Sequence, residues 1–328
     1  MTDRRSLMKV LAGAALFAVA RRAAAEKEKS FTIAYLALLP GEDRNFVPKF
    51  LGRLGELGYV EGQNLHFVYR SAEGRPELLP GLASDLVRMK PDVLVTGFGT
   101  VAAKTGKAAS DGVAVVFMAV GDPVGAGVVE SLARPGGNVT GLSDLAAGLQ
   151  GGRLQLVQEM APASPLFAAI LNPGTPYAPL AYKELEAAAK VAKIQVRAFE
   201  VRTPAEIKPQ LEAAKAAGAG GLVVLEDPLT LSQKSEIAAL VLSLRLPAIY
   251  GYREFAEAGG LMSYGTDHAA QWRHGAEIVD RILKGEKPSN IPVEQPTKFE
   301  LVINLKTAKA SGFTVPELVM VGADEVIE

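Results

Sequence analysis

Side chains able to do chemistry recur at one kind of place in this sequence: just after a short apolar run, in a turn rich in proline and glycine. One set comprises Leu38-Leu39-Pro40-Gly41, Gly97-Phe98-Gly99-Thr100 and Gly121-Asp122-Pro123. A second comprises Asn172-Pro173-Gly174-Thr175-Pro176-Tyr177, Glu226-Asp227-Pro228 and Gly251-Tyr252-Arg253-Glu254. Such turns leave backbone N–H groups free at the start of a following helix, where an anionic group is stabilised. Gly99-Thr100 therefore suits a carboxylate, whereas Asp122, Asp227 and Glu254 suit an ammonium. Phe98, Tyr177, Tyr250 and Tyr264 offer rings to an apolar side chain, and Leu39, Gly121, Asn172 and Thr175 complete the candidate set. Duller readings compete: an Asp before Pro also caps its own turn, and a tyrosine at a strand end also closes the edge of a core.

Catalytic chemistry is less well provided for. Gly97-Phe98-Gly99-Thr100-Val101-Ala102 fits the G-x-G-x-x-A dinucleotide fingerprint, with Asp122 later at a strand end, so an exported NAD-dependent oxidoreductase is an alternative. That fingerprint normally follows the first strand of its unit, and here Leu38-Leu39-Pro40-Gly41 stands there. The stretch Gly260-Leu261-Met262-Ser263-Tyr264-Gly265 is one residue too long for a hydrolase elbow, and no histidine has an evident partner. The absence of cysteine excludes disulfides, thiolate metal sites, cysteine nucleophiles and a lipid-bearing cysteine. Of the three histidines, His66 alternates with Leu65 and Phe67 on a strand and points to solvent; His268 and His274 fall on different faces of one helix and are expected at the surface. No metal and no cofactor are expected.

The elements that must position these turns read as α/β, because short β-branched runs alternate with segments of helical period. Strands are predicted at Phe31–Ala37, Leu65–Arg70, Asp92–Thr96 and Val113–Met118, and again at Leu166–Leu171, Ile194–Val201, Gly221–Leu225 and Pro247–Tyr250. Helices fill the intervals in both series, and the near-constant offset between matching strands argues for two copies of one architecture. Arg134-Pro135-Gly136-Gly137-Asn138 and the segment to Ser143 form a turn-rich stretch suited to a first crossing between lobes. Beyond the second copy come a strand at Leu261–Tyr264, a long helix over Ala269–Leu283 and a strand at Phe299–Ile303. If that helix returns to the first lobe and the last strand to the second, the chain crosses three times, giving a hinge that permits closure and resists twist.

At 328 residues and 48% hydrophobic, the chain has material for a large core. Its 35 basic and 36 acidic groups leave a formal charge of −1, with no run of either sign to attract nucleic acid. Arg4-Arg5, the apolar stretch Val10 to Ala20 and Ala23-Ala24-Ala25 have the three parts of a cleaved export signal over residues 1–25. Arg4-Arg5-Ser6-Leu7-Met8-Lys9 resembles a twin-arginine signal, so a periplasmic location is expected.

Several longer stretches carry a family resemblance. Glu56-Leu57-Gly58-Tyr59-Val60-Glu61-Gly62-Gln63-Asn64, Gly121-Asp122-Pro123-Val124-Gly125-Ala126-Gly127 and Ser131-Leu132-Ala133-Arg134-Pro135-Gly136-Gly137-Asn138-Val139-Thr140-Gly141 resemble the substrate-binding proteins of ABC-type uptake systems, in particular the family that includes tryptophan and phenylalanine receptors. Glu254 to Gly265, Pro292 to Leu301 and Ala323 to Glu328 continue the resemblance. It implies the type I periplasmic binding protein fold: two Rossmann-like lobes with parallel sheets joined by a three-segment hinge. On that plan the lobes are residues 30–142 plus 266–292 and residues 143–265 plus 293–328. The implied function is non-enzymatic: a monomer closes on an aromatic or branched amino acid, or a related carboxylate, and presents it to a membrane permease. A ligand-sensing receptor module is the remaining alternative. Where relatives open the helix after the third strand with a hydroxyl or proline pair, this chain has Phe98-Gly99-Thr100.

Overall fold

The computed structural model describes residues 30–144 and 146–328; the export signal expected over residues 1–25 lies outside the described residues. Five strands, β1 (Phe31–Ala37), β2 (Leu65–Ser71), β3 (Val93–Phe98), β4 (Ala114–Val120) and β5 (Val139–Ser143), form a sheet of order β2-β1-β3-β4-β5 in which every pairing is parallel. Its helices include α1 (Glu42–Asn45), α2 (Val47–Glu56), α3 (Leu79–Arg88) and α4 (Thr100–Ala109). Helices on both faces explain why β3 and β4 read as near-continuous apolar runs and bury almost every residue. On α2, Val47, Phe50 and Leu54 form the buried stripe, at the spacing that one helical face requires.

The second sheet comprises β6 (Leu166–Leu171), β7 (Gln195–Glu200), β8 (Leu222–Val224), β9 (Ala248–Tyr250), β10 (Met262–Thr266), β11 (Phe299–Asn304) and β12 (Glu325–Ile327), in the order β12-β11-β10-β9-β8-β6-β7. Read from its β7 edge, β7-β6-β8-β9-β10 repeats the order of the first sheet, which is the internal duplication expected from strand spacing. Only β11 runs antiparallel to its neighbour β10; β12 then lies parallel to β11. The helices of this half are α5 (Gln150–Glu159), α6 (Tyr177–Ala192), α7 (Pro204–Ala216), α8 (Pro228–Ser232), α9 (Lys234–Ser243) and α10 (Arg253–Glu257). After β10 come α11 (His268–Leu283), α12 (Leu305–Ser311) and α13 (Glu317–Val321).

The helix α11 lies between two strands of the second sheet in sequence, yet packs on α2 and β4 of the first. Its buried stripe explains the choice: the Trp272 ring packs, tilted, with centroids 5.0 Å from Phe46 and 4.5 Å from Phe98, and Tyr59 donates to Asp280 at 2.8 Å. The chain therefore passes between the sheets after β5, after β10 and before β11. These passages are tied to one another. Ser143 N donates to Glu294 O at 2.9 Å, and Thr266 Oγ1 donates to Asp144 O at 3.0 Å.

Two expectations are corrected and one element is new. Residues 139–143, read as part of a turn-rich crossing, form the edge strand β5, and the crossing follows it. Helix α5 was not anticipated, because Gln150 and Arg153 share its buried face with Leu154 and Val157 and hide the apolar stripe. His268, expected at the surface, is only 5% exposed, enclosed by Phe46, Phe98, Tyr252 and Trp272; its burial pushes the imidazole down to about 4, so the ring is neutral.

Candidate ligand-binding site

The carboxyl ends of the two sheets face each other, and the lobes meet at two glycines. Gly99 opens α4 with φ of +93°, which a side chain would strain, and a Cβ there would lie 3.0 Å from Pro228 Cγ. A Cβ on Gly121, just after β4, would lie 2.4 Å from the Tyr177 ring. Both contacts join a residue of the first lobe to one of the second, so this is a closed arrangement that only bare backbone permits.

Between these contacts lies a narrow cleft with about 30 Å³ of free space. Gly99, Thr100, Val101, Ala119 and Gly121 line it from the first lobe. Thr175, Tyr177, Glu226, Asp227, Pro228 and Tyr252 line it from the second, with Asp144 and Ala146 at the crossing. The first-turn amides of α4 have no acceptor within the helix, and Gly99 supplies no capping side chain. These amides form an electropositive spot on one wall.

The opposite wall is acidic and largely buried. Arg153, fully buried on α5, pairs with Glu226 Oε1 and donates from Nε to Tyr264 O at 2.7 Å. Glu226 Oε2 accepts from Tyr177 OH at 2.7 Å and from Gln150 Nε2 at 3.2 Å. One guanidinium thus stands beside both Glu226 and Asp144. Burial and the neighbouring Glu226 push the Asp144 carboxyl up to about 7, and burial raises Asp227 as well. Asp227 Oδ1 caps α8 through Leu229 N at 2.8 Å and accepts from Asn172 Nδ2 at 3.1 Å. Asp227 Oδ2 and Asp144 Oδ1 have no hydrogen-bond donor among the described residues, although the two residues are only 2% and 6% exposed. Buried acceptors of this kind call for a donor from elsewhere.

The residues expected at the site divide accordingly. Gly99, Thr100, Gly121, Thr175, Tyr177 and Asp227 line the cleft. Asn172 stands behind Asp227 and faces a wider opening between the lobes. The others lie elsewhere. Phe98 sits in the aromatic cluster of α11, and Tyr250 is buried in the core, stacked at 4.4 Å on Phe255. Asp122 caps its own turn through Gly125 N at 2.7 Å, and Tyr264 packs beside Phe299. Leu39 and Glu254 line a separate crevice, where Leu39 N donates to Glu42 Oε1 at 3.0 Å. Glu42 also fills the space beside Gly97, so the glycine pattern there holds a carboxylate of the protein. Asp144, Ala146, Glu226 and Tyr252 line the cleft without having been singled out; the one sequence signal was that Glu226 and Tyr252 share turns with Asp227 and Glu254.

Comparison with known proteins agrees with this geometry. The family described as "ABC transporter substrate binding protein" matches residues 45–327. A "Tyrosine-binding protein" of Clostridioides difficile (strain R20291) is 27% identical over 285 residues, covering 87% of this chain and 81% of the relative. Among solved structures, a conserved domain protein from Vibrio cholerae superposes with a TM-score of 0.85 at 29% identity, covering 91% of this chain and 100% of the other. An ABC domain from Streptococcus pneumoniae in complex with L-Trp gives 0.82 at 26% identity, covering 90% and 100%.

Proposed function

Because the chain belongs to the ABC transporter substrate-binding family, we propose that its ligand is an α-amino acid with an aromatic side chain, held between the lobes and handed to a membrane permease. The observation that carries the reading is the pairing of unmatched groups across the cleft. Helix amides without an acceptor stand on one wall, and Asp227 Oδ2 lacks a donor on the other. A carboxylate and an ammonium on one carbon complement both. The relatives named for tyrosine and crystallised with L-Trp support an aromatic side chain, as do Tyr177 and Tyr252 in the lining. The dinucleotide alternative draws no support from the family or from the filled space at Gly97.

In this reading the first lobe is residues 30–142 plus 266–292 and the second is residues 143–265 plus 293–328. A ligand touching both walls binds the closed state more tightly than the open one, and the permease recognises the closed shape. Raising the closed fraction from 1% to 99% takes about 5.5 kcal/mol of differential binding, within reach of a few charge-assisted hydrogen bonds and a buried ring. The protein acts as a monomer in the periplasm, exported by residues 1–25 with a twin-arginine pattern.

A thermal-shift series on the chain lacking residues 1–25 tests the reading. Aromatic α-amino acids should raise the melting temperature, while the same compounds lacking either the amino or the carboxyl group should not. Equal shifts with the deaminated acids would remove Asp227 from the recognition of an ammonium, and conversion of any compound to a product would end the receptor reading.

A further inference from the structure

The cleft has two distinguishable ends. Val101, Thr175, Asp227 and Pro228 line both the cleft and the wider opening that leads outward past Arg75 and Arg202, so they mark its outer end. Ala119, Asp144, Ala146, Tyr177, Glu226 and Tyr252 line the cleft and not that opening, so they mark its inner end. Of the groups that suit a zwitterion, Asp227 and the Val101 amide of α4 are outer, Gly99 and Thr100 line the cleft alone, and the Gly99–Pro228 contact holds the two walls close together. An amino acid seated there has its side chain directed inward.

The inner end is walled by small residues and two tyrosines, and one of its buried acceptors stands out. Most of its donors are committed: Tyr177 OH to Glu226, Gln150 Nε2 to Ala146 O, Tyr177 OH and Glu226, and Arg153 Nε to Tyr264 O. The acceptor Asp144 Oδ1 is left over, more than nine-tenths buried and facing the cleft. We infer that Asp144 determines specificity by accepting a hydrogen bond from a phenol O–H or indole N–H at the tip of the ligand ring, so that the cleft selects donor-bearing aromatic amino acids over phenylalanine. This rests on the amino-acid reading above. A site built to accept a donor rejects the analogue that lacks one, because its own buried polar atom is then left unpaired.

Calorimetric titration of the chain without residues 1–25, stripped of bound ligand by unfolding and refolding, tests the inference with L-tyrosine, L-tryptophan, L-phenylalanine and 1-methyl-L-tryptophan. Tyrosine should bind about tenfold or more tighter than phenylalanine, or tryptophan than its N-methyl analogue by the same margin. In Asp144→Ala the preferred ratio should fall to below about threefold, and Asp144→Asn, which keeps an acceptor, should restore part of it. The wild-type series stands alone if either variant fails to fold. Indifference of the wild type to the tip donor in both pairs, or an equal loss for every ligand in Asp144→Ala, would overturn the inference and leave the amino-acid reading intact. Absence of binding by all four would sink both.

Discussion

Equivalent strands of the two sheets meet the cleft with different chemistry. The third strand of the first series, β3, is followed by Gly99-Thr100, whereas its counterpart β8 leads through Leu225 to Glu226-Asp227; the fourth, β4, is followed by Gly121, whereas β9 leads through Gly251 to Tyr252. The first lobe thus presents backbone and small side chains, and the second presents carboxylates and rings. Sharing a strand order makes the two walls line up, but it does not make them alike. A smooth wall can close on a charged one to the distance seen at Gly121 and Tyr177, and the charged wall must then be neutralised from within by Arg153 or from without by a ligand.

If the second lobe carries both its own stability and the recognition, the largest effect should come from its internal ion pair. Arg153→Ala leaves Glu226 charged and buried beside Asp144, and should cost about 3–5 kcal/mol in denaturant unfolding. A loss below about 1 kcal/mol would mean that water reaches Glu226 in solution.

Next in size is the loss of the ligand-facing charge. Asp227→Asn keeps the α8 cap through its remaining oxygen, so the free protein should melt within a few degrees of wild type, while affinity for the amino acid falls by about 2–3 kcal/mol. A matching loss of stability without loss of affinity would reverse the assignment of the two roles.

The pH dependence of the empty protein separates the lobes again. Burial pushes Glu42 of the first lobe, Asp144 at the crossing and Glu254 of the second each up to about 7. A carboxyl raised in the folded state adds stability that is fully present below its unfolded pKa and is lost as the pH rises through about 7. His268, pushed down to about 4, works the other way: its contribution is present above 6.5 and lost as the pH falls through 4. With these carboxyls, and Asp227 raised in the same direction, set against His268, the ligand-free protein should melt higher at about pH 5.5 than at pH 8. Glu42→Gln should remove about 2 kcal/mol of that difference without touching the cleft, and an unchanged profile would show that this carboxyl is already ionised.

The smallest effect tests the smooth wall. Gly121→Ala places a methyl group against the Tyr177 ring only when the lobes are shut, so affinity should fall about tenfold while ligand-free stability stays within about 0.5 kcal/mol. Small-angle scattering should find the variant with ligand more extended than wild type with ligand. Equal radii would mean that Tyr177 yields.

Much of the fold was legible because parallel strands buried on both faces are continuous apolar runs: β1 and β6 appear with the residues expected of them. The duplication was legible for the same reason. Helix α5 was not, since half of its inner face is made of polar residues whose partners, Glu226 and the Tyr264 carbonyl, lie far along the chain. The candidate site was legible as a set of turns but not as a set of atoms. Tyr250 and Phe98 precede such turns and point into cores, while Tyr252, two residues beyond Tyr250, reaches the cleft.

From the sequence by itself came the alternation of strand and helix, its repetition, and the places where the chain turns back, because hydrophobic period and turn chemistry are local. Which acid faces solvent, which caps its own loop and which is buried without a partner was decided only when the second sheet, the crossing at Asp144 and helix α5 packed together. A carboxylate's surroundings are set by residues distant in the chain, and its residue type carries no record of them.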